Sequence, residues 1–495
     1  MSDKRSTLGI TVKKSEDFSE WFTQVCSEQG AKLADIRYGV QGHIVHRPWA
    51  MRITNKIYNM FEQEVENDSH DPVLFPTVIP EKNLMKEKEH AGFTPEVFWI
   101  TQAGDKDLSN RVALRPTGET AFYPMYSLWI RSHNELPLKC YQSRITVFRN
   151  EMTTRPFLRG REFMFFETHD AFSTHEEAED QIKKDMRIME SVVKDRLKIP
   201  YKFFKRPQWD KFKGADNTYT SDSLLPNGRR NQISSTHDLG QRFAEAYDIK
   251  FKDKDSKDKH VWQTCFGPGI WRIMASLIAL HGDDNGLVLP TSVAPVHARI
   301  IPITFVKKPE VNAKIIETAE KVKKKLSKKF SVDIDSSESS PGFKFNQAEL
   351  MGIPVRIEIG PKDLEKGQVT IVRRTSKEKV TAGLDDVDKV ISEQIELFEK
   401  ELLERAHEHY NEKTRRVDSL EEAKKVLDEH KGFVIAPFCS IDWDGEEYAD
   451  ILKSETNGGE ICGVPIDEEE KPKDDDVCIV SGKKANHLVW IAKSI

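Results

Sequence analysis

Apolar residues recur at helical spacing in three long stretches of the chain. One predicted helix follows His175 and ends near Leu197, and a second follows Gly269. A third covers about 384–409, where apolar residues repeat at steps of three and four. Such a stripe is typical of a helix that packs one face against a core. The pattern therefore predicts three amphipathic helices that are widely separated along the chain.

Alternating apolar and polar residues predict strands between these helices. The clearest runs are 136–148, LPLKCYQSRITVF, and 161–172, REFMFFETHDAF. Strands that alternate with long helices only irregularly are typical of a largely antiparallel sheet with helices packed on it. We therefore expect residues 1–290 to form one large domain on such a sheet.

The pattern changes after VLPTSVAPVHA, residues 288–298, which holds two prolines and several small residues, and we interpret 291–298 as a linker. Residues 299–400 then alternate strand and helix patterns, as compact α/β domains do. Residues 401–495 add a helical pattern and the apolar strand FVIAPF. We therefore expect an α+β multidomain chain with a large first domain and two smaller α/β domains.

Composition and charge narrow the class of protein. The chain has 495 residues, which is more than one ordinary core contains, and its net charge of -6 gives no overall attraction for nucleic acid. Its six cysteines follow no regular spacing, which favours a reducing compartment. No apolar run approaches the ~18 residues of a membrane span, and the first residues lack a cleavable signal. We therefore expect a cytoplasmic protein.

The most informative stretch is 146–172, TVFRNEMTTRPFLRGREFMFFETHDAF. Its arginines are interleaved with phenylalanines and glutamates. Two strands joined by a basic loop would present the planar guanidinium groups to a polyphosphate, with an aromatic ring free to stack on a base. An amphipathic hairpin with surface arginines explains the same pattern equally well.

Two shorter stretches carry weaker signals. In RVALRPTGET, Thr117, Glu119 and Thr120 could bind a substrate ammonium, but they could equally cap a helix. In QTCFGPGIWR, a tight Gly-Pro-Gly turn leads into a helix with Arg272 in its first turn. A helix N-terminus beside an arginine favours phosphate binding. More often, however, such a sequence is a core helix whose start is simply fixed by the Gly-Pro-Gly turn.

Taken together and in order, these stretches resemble class II aminoacyl-tRNA synthetases. Phe75 and Pro76 in VLFPTVIP resemble the end of motif 1, the dimer-interface element. FRNE, the arginine-rich loop and REF resemble motif 2, and GPGIWR resembles motif 3. The segments RPTGET, HGDDNGLVLP, PGFKFNQAELMGIPVRIEIGPKDL and SGKKAN are similar to the prolyl-tRNA synthetase family of the archaeal and eukaryotic cytosolic type. The resemblance extends from about Gly9 to the end of the chain.

The resemblance implies a fold and a set of site residues. It implies a class II antiparallel sheet flanked by helices that binds ATP and Mg²⁺, followed by an α/β anticodon-binding domain and a small C-terminal domain. Arg149 and Arg272 would be catalytic, and Gln232 would lie near the Mg²⁺. The implied ATP-binding residues are Arg149, Glu151, Arg159, Phe163, Gln232, Ser235 and Arg272. The implied proline-binding residues are Thr117, Glu119, Arg149, Phe165 and His237.

The resemblance also implies partners. These are L-proline, tRNA(Pro) and a second copy of the chain in a homodimer. The implied anticodon-binding residues are Phe345, Glu349, Lys362 and Asp363.

The chain departs from the family at several positions. The family usually has tryptophan at Phe165, and it often binds zinc in the C-terminal domain through four cysteines. Only Cys439 and Cys478 match that set here. Because tetrahedral zinc needs a full set of strong ligands, we expect weak zinc binding or none.

Two alternatives stay open. One is a class II paralogue that activates another amino acid, such as cysteine or threonine. The other is a non-catalytic, synthetase-like protein that binds RNA or regulates another process. Such proteins tend to lose the phosphate-binding arginines, whereas Arg149, Arg159 and Arg272 are all present.

Overall fold

The computed structural model describes residues 9–91, 96–305, 308–466 and 470–495. Part of the expected first domain, residues 1–8 and 92–95, therefore lies outside the described residues.

The three predicted helices are confirmed. They are His175–Met189, which continues as a wider turn over Glu190–Arg196, then Ile270–His281, and Val387–Glu412. The first begins where it does because the Thr174 hydroxyl accepts from the backbone N–H of Glu177, whose side chain in turn caps the backbone of Thr174. The expected boundary at residue 400 falls inside the last helix, so the division into domains stays a prediction.

One large sheet organises the molecule. In the described part of the chain it has eleven strands, antiparallel except at its two edge pairs, where the partners are parallel. In spatial order the strands are Thr414–Arg416, Phe433–Phe438, His487–Lys493, Gly459–Pro465, Tyr201–Lys205, Asn217–Leu224, Arg230–Gly240, Trp262–Pro268, Glu162–Phe172, Leu138–Phe148 and Asp71–Pro72.

Helices cover this sheet, as the predicted antiparallel α+β architecture requires. The main core lies where Pro48–Asn67 and Ile270–His281 pack their apolar stripes on the sheet, and Phe61 contacts Phe166 with ring centroids 5.8 Å apart. The other helices of this region are Phe18–Cys26, Glu81–Ala91, Glu119–Trp129, His175–Met189 and Arg242–Tyr247, with a 3₁₀ turn at His133–Glu135.

Smaller strand pairings flank the large sheet. A three-stranded sheet precedes the helix Glu119–Trp129 in the chain, and two short ribbons complete the region. The three strands are Val78–Pro80, Lys106–Leu114 and Trp99–Ala103, and the ribbons are Ala34–Asp35 with Val45–His46 and Lys250–Lys252 with Asp258–His260.

A separate five-stranded sheet follows, as the alternating pattern after residue 298 predicts. Its strands are parallel at one end and antiparallel at the other. In order they are Val332–Ile334, Ala298–Pro302, Val355–Ile359, Gln368–Arg373 and Lys379–Gly383, packed with the helices Pro309–Leu326, Pro341–Leu350, Pro361–Glu365 and Val387–Glu412.

The C-terminal region does not form an isolated sheet. Its strand Gly459–Pro465 pairs with Tyr201–Lys205, so that the C-terminal strands extend the large sheet. The pairing is reinforced where Arg206 donates to the Cys462 carbonyl at 3.0 Å. The helices of this region are Leu420–Lys425 and Glu446–Glu455, with short turns at Val426–His430 and Trp443–Gly445.

Among the described residues, no helix combines the length and the apolar character that crossing a bilayer requires.

Candidate active site

Two adjoining cavities open along the central strands of the large sheet. The larger has a volume of about 480 Å³ and the smaller about 280 Å³. They share one wall, formed by Arg149, Glu151, Phe165, Ser235 and Gly267. A molecule with two chemically different halves could therefore occupy both at once.

The antiparallel pairing of Leu138–Phe148 with Glu162–Phe172 builds the shared wall. The register places Val147 opposite Phe163, and the backbone N–H of Arg149 donates to the Arg161 carbonyl at 2.9 Å. These bonds close the basic loop over the end of the strand pair. The stretch thus forms a hairpin whose loop brings Arg149 and Arg159 to a cavity, and phosphate binding by these arginines stays a prediction.

Three arginines converge on the smaller cavity, as the resemblance implies. Arg149, Arg159 and Arg272 all line it. Arg149 lies 5.8 Å from the centre of the Phe163 ring, and Arg159 pairs with Glu151 at 3.4 Å. Burial, together with the charges of the other two arginines, lowers the pKa of Arg272 to about 10, so its guanidinium stays charged at neutral pH. The cavity therefore concentrates positive charge in one place, which suits a polyphosphate.

The strand Arg230–Gly240 brings the remaining ATP candidates to the same place. Gln232 lines the smaller cavity and accepts from Arg206 at 3.0 Å, and Ser235 lines both cavities. The Gln232 carbonyl also accepts from Arg272 at 3.3 Å. Contacts from Arg206 and from Arg272, in the helix Ile270–His281, thus fix the position of Gln232.

The larger cavity gathers the five residues implied for proline. Besides Arg149, it is lined by Thr117, Glu119, Phe165 and His237. The Thr117 hydroxyl donates to the carboxylate of Glu119, which is buried at the first turn of a helix. A buried carboxylate beside an aromatic ring can receive an ammonium that carries an apolar ring.

His237 forms part of the far wall. Its Nδ1 lies 2.9 Å from the Thr218 hydroxyl, and its ring contacts Phe212 with centroids 5.0 Å apart. Burial, and then the charge of His169, lower the pKa of His237 to about 3, so the ring is neutral at working pH. It therefore presents a polar but uncharged surface to the cavity.

Sequence reasoning did not place three further residues in this cavity. Glu167, His169 and Cys265 line it, and all three are buried. The signal was present: Phe165, Glu167 and His169 lie two residues apart on one strand, so they face the same side of the sheet. Cys265 is directly opposite His169 in the neighbouring strand.

Two glycines are required by the shape of this cavity. A Cβ at Gly267 would lie 2.8 Å from the Phe165 ring, and a Cβ at Gly118 would overlap the Glu167 carboxylate. A methyl group at either position would force the Phe165 ring or the Glu167 carboxylate to move. The glycines of RPTGET and GPGIWR thus make room for the cavity wall.

The four implied anticodon residues lie in the five-stranded domain, in two settings. Phe345 and Glu349 both contact Arg356, which stacks over the ring at 4.7 Å and pairs with the carboxylate at 2.8 Å. Asp363 accepts from the backbone N–H of Gly360 at 2.9 Å, whereas its neighbour Lys362 is exposed. Their role in reading an anticodon stays a prediction.

Cys439 and Cys478 are neighbours in the C-terminal region. Both are buried, the two thiols interact, and Cys478 Sγ accepts from the Ser481 backbone at 3.5 Å. Among the described residues, the group of His, Cys, Asp and Glu side chains close enough to share a metal ion lies elsewhere, at Glu119, His169 and Cys265. Two thiols do not make up a tetrahedral zinc set, so the donors do not fit that metal, and weak or absent zinc binding stays a prediction.

Comparison with known proteins matches three family models to the chain. Residues 98–281 match the family model of the tRNA synthetase class II core domain (G, H, P, S and T). Residues 293–394 match the anticodon binding domain, and residues 420–495 match the C-terminal domain of prolyl-tRNA synthetase.

Curated relatives are similar over almost the whole chain. The proline–tRNA ligase of Thermofilum pendens is 51% identical and covers 99% of this chain and 100% of its own. The proline–tRNA ligase of Pyrococcus abyssi is 41% identical and covers 97% of this chain and 98% of its own.

Solved structures agree as well. Prolyl-tRNA synthetase of Giardia lamblia in complex with prolyl-adenylate has a TM-score of 0.93 and 34% identity, and it covers 98% of this chain and 100% of its own. The Cryptosporidium parvum enzyme, complexed with halofuginone and AMPPNP, has a TM-score of 0.91 and 33% identity over 100% of this chain and 99% of its own. The chain therefore belongs to the proline–tRNA ligase family, with the core of the class II aminoacyl-tRNA synthetases.

Proposed function

We propose that the chain activates L-proline with ATP and transfers it to the 3′ end of tRNA(Pro). In the first step a proline carboxylate oxygen attacks the α-phosphorus of ATP, and pyrophosphate leaves. In the second a hydroxyl of the terminal ribose attacks the prolyl carbonyl, and AMP leaves. The observation that supports this most is the junction of a triple-arginine cavity with a cavity that holds a buried carboxylate.

The arginines would supply most of the stabilisation in the first step. Arg149 lines both cavities, so it can contact the α-phosphate and the proline carboxylate together. Arg159 and Arg272 would bind the rest of the phosphate chain, while Phe163 stacks on adenine. Charge builds up on the phosphoryl oxygens as the α-phosphorus is attacked, and fixed cations favour that state over the ground state.

The proline half of the site would select by charge and by shape. Glu119 and Thr117 would bind the secondary ammonium, and Phe165 and His237 would enclose the ring. A neutral His237 suits this role, because a second positive charge would repel the ammonium. The small space left beside Gly267 would exclude longer side chains.

Oxygen ligands for Mg²⁺ are present at the smaller cavity, where the three arginines converge. The Glu151 carboxylate and the Gln232 amide line it together. Mg²⁺ is commonly bound through one or two carboxylates plus substrate phosphates, so these residues fit an ion that arrives with ATP. When bound, the ion would neutralise charge on the phosphates.

A homodimer is supported by apolar side chains around the motif 1 segment. Leu74 is 81% exposed, Leu128 is 56% exposed and Trp129 is 42% exposed, although the adjoining Phe75 is buried. Large apolar groups this open to water are typical of a protein interface. We place the dimer in the cytoplasm, where its tRNA partner would be charged.

Phe345, Glu349, Lys362 and Asp363 would contact the anticodon of tRNA(Pro). Unpaired bases are recognised by stacking and by hydrogen bonds to their edges, and these residues offer a ring, two carboxylates and an ammonium. The match of residues 293–394 to the anticodon binding domain supports this placement.

Exchange of pyrophosphate into ATP, measured in parallel with proline, cysteine and alanine, tests the proposal. We expect proline to support exchange at a lower concentration than cysteine or alanine requires. Faster exchange with cysteine than with proline at equal concentration would favour a class II paralogue that activates cysteine. Absence of exchange with all three amino acids would favour a non-catalytic, synthetase-like protein.

A further inference from the structure

A group of metal-binding side chains lies in the wall of the larger cavity. Ligand atoms of Glu119, His169 and Cys265 all lie within 4.8 Å of one another, and all three residues are buried. They come from three different elements, the helix Glu119–Trp129 and the strands Glu162–Phe172 and Trp262–Pro268. The fold therefore brings together one carboxylate, one imidazole and one thiol beside an open volume.

Neighbouring groups hold these side chains in place. His169 Nδ1 lies 3.0 Å from the Tyr123 hydroxyl, and its Nε2 lies 3.1 Å from the Glu167 carboxylate. Cys265 Sγ donates to Glu119 at 3.6 Å. Both ring nitrogens are thus engaged, so a metal ion would replace the Tyr123 hydroxyl at Nδ1 while Nε2 keeps its bond to Glu167. A carboxylate on the second ring nitrogen is the usual arrangement behind a metal-bound histidine, because that bond fixes the ring and its tautomer.

We propose that Glu119, His169 and Cys265 form an inhibitory Zn²⁺ site inside the amino-acid cavity. Zn²⁺ binds sulfur, nitrogen and carboxylate oxygen together, whereas Mg²⁺ takes oxygen alone. Three protein ligands leave a fourth position open towards the cavity. On binding, the Cys265 thiol gives its proton to solvent and a Zn–S bond forms, so no oxidant or reductant is needed.

The consequence for catalysis rests on the proposed function. Glu119 cannot bind the proline ammonium and a Zn²⁺ ion at the same time. Zinc and proline therefore exclude each other, and zinc inhibits adenylate formation in competition with proline. This site is distinct from the pair Cys439 and Cys478, which lies in the C-terminal region.

Metal binding by the full-length, chelator-treated protein tests this proposal. Titration with Co²⁺ as a spectroscopic probe should produce a thiolate-to-metal absorption band, and Zn²⁺ should remove it by displacement. Cys265→Ser should weaken Zn²⁺ binding by roughly 100-fold or more, since losing even an outer contact costs about 10- to 100-fold. The double variant Cys439→Ser, Cys478→Ser should keep the band, as should Cys140→Ser, which changes another buried cysteine.

Added proline separates the possible outcomes. We expect saturating proline to displace the probe from the wild-type protein, a result that does not depend on any variant folding. The proposal is overturned if Cys265→Ser keeps the band, if the double variant loses it, or if proline leaves it unchanged. Proline-dependent exchange measured with chelator present tests the proposed function alone, so the two failures are distinguishable.

Discussion

At the scale of single residues, position in a cavity rather than residue type separates the important arginines from the rest. Arg149 lines both cavities, whereas Arg155, only six positions further along the same loop, lines neither. Arg155 instead donates to Ser19 at 3.2 Å. Charge and spacing alone treat the two alike, because they do not show which guanidinium the loop turns inwards; the family resemblance was what singled out Arg149.

Arg149→Ala should lower the rate of proline-dependent pyrophosphate exchange by roughly 100- to 1,000-fold, the effect of removing one group that stabilises charge in a transition state. The thermal unfolding curve should stay that of a folded protein. Arg155→Ala is the matched control and should keep exchange close to the wild-type rate. Equal rates for both variants would contradict the role proposed for Arg149.

Buried neutral histidines predict a loss of stability in acid. Burial lowers the pKa of His281 from its ordinary 6.5 to about 4. Between these values the unfolded chain binds the extra proton, so stability is complete above pH 6.5 and falls as the pH drops towards 4. The slope from this group is about 1.4 kcal/mol per pH unit. Urea unfolding of the wild type and of His281→Gln at about pH 7.5 and about pH 5 should show a smaller loss of stability in the variant. Equal losses would refute the assignment.

At the scale of elements, the sequence predicted the helices and strands better than it predicted the residues that line the cavities. The helix Ile270–His281 and the strand Phe433–Phe438 lie where the apolar residues predicted them. Each prediction depends only on residues that are close together in the chain. Cys265 escaped prediction because its significance depends on its cross-strand neighbour His169. Such a pairing is set by sheet register, which a single sequence does not reveal.

Gly267→Ala tests how tightly the strands define the amino-acid cavity. The new methyl group would lie 2.8 Å from the Phe165 ring, so the ring must move into the space proposed for proline. We expect the KM for proline to rise by about tenfold or more, as a displacement near 1 Å can cost far more than that in rate. Gly342→Ala is the control, since no atom lies within 4 Å of its Cβ. An unchanged KM in Gly267→Ala would show that the ring does not contact proline.

At the scale of the whole molecule, the C-terminal region is a continuation of the main sheet. Arg230 pairs with Asp222 at 2.9 Å and with Glu460 at 3.0 Å, and so links the strand that carries Gln232 to the C-terminal strands. The sequence predicted a small α/β C-terminal domain here but not that its strands join the main sheet. Strand pairing between Pro465 and Phe204 joins residues far apart in the chain, which local patterns do not report.

The proposed dimer can be tested through its exposed apolar residues. Leu74→Glu should shift the protein from dimer to monomer in sedimentation velocity, because a charge in an apolar interface loses its hydration. Leu397→Glu, at another partly exposed leucine on the helix Val387–Glu412, should stay dimeric. Dimers of unchanged affinity in Leu74→Glu would exclude this surface from the interface.

The central claim is that three arginines bind one phosphate chain beside a carboxylate that binds proline. A crystal structure with proline and a non-hydrolysable ATP analogue tests it most directly. We predict phosphate oxygens within hydrogen-bond distance of Arg149, Arg159 and Arg272, and the proline nitrogen at Glu119. A phosphate chain bound away from these guanidinium groups, or proline bound outside the larger cavity, would contradict the account.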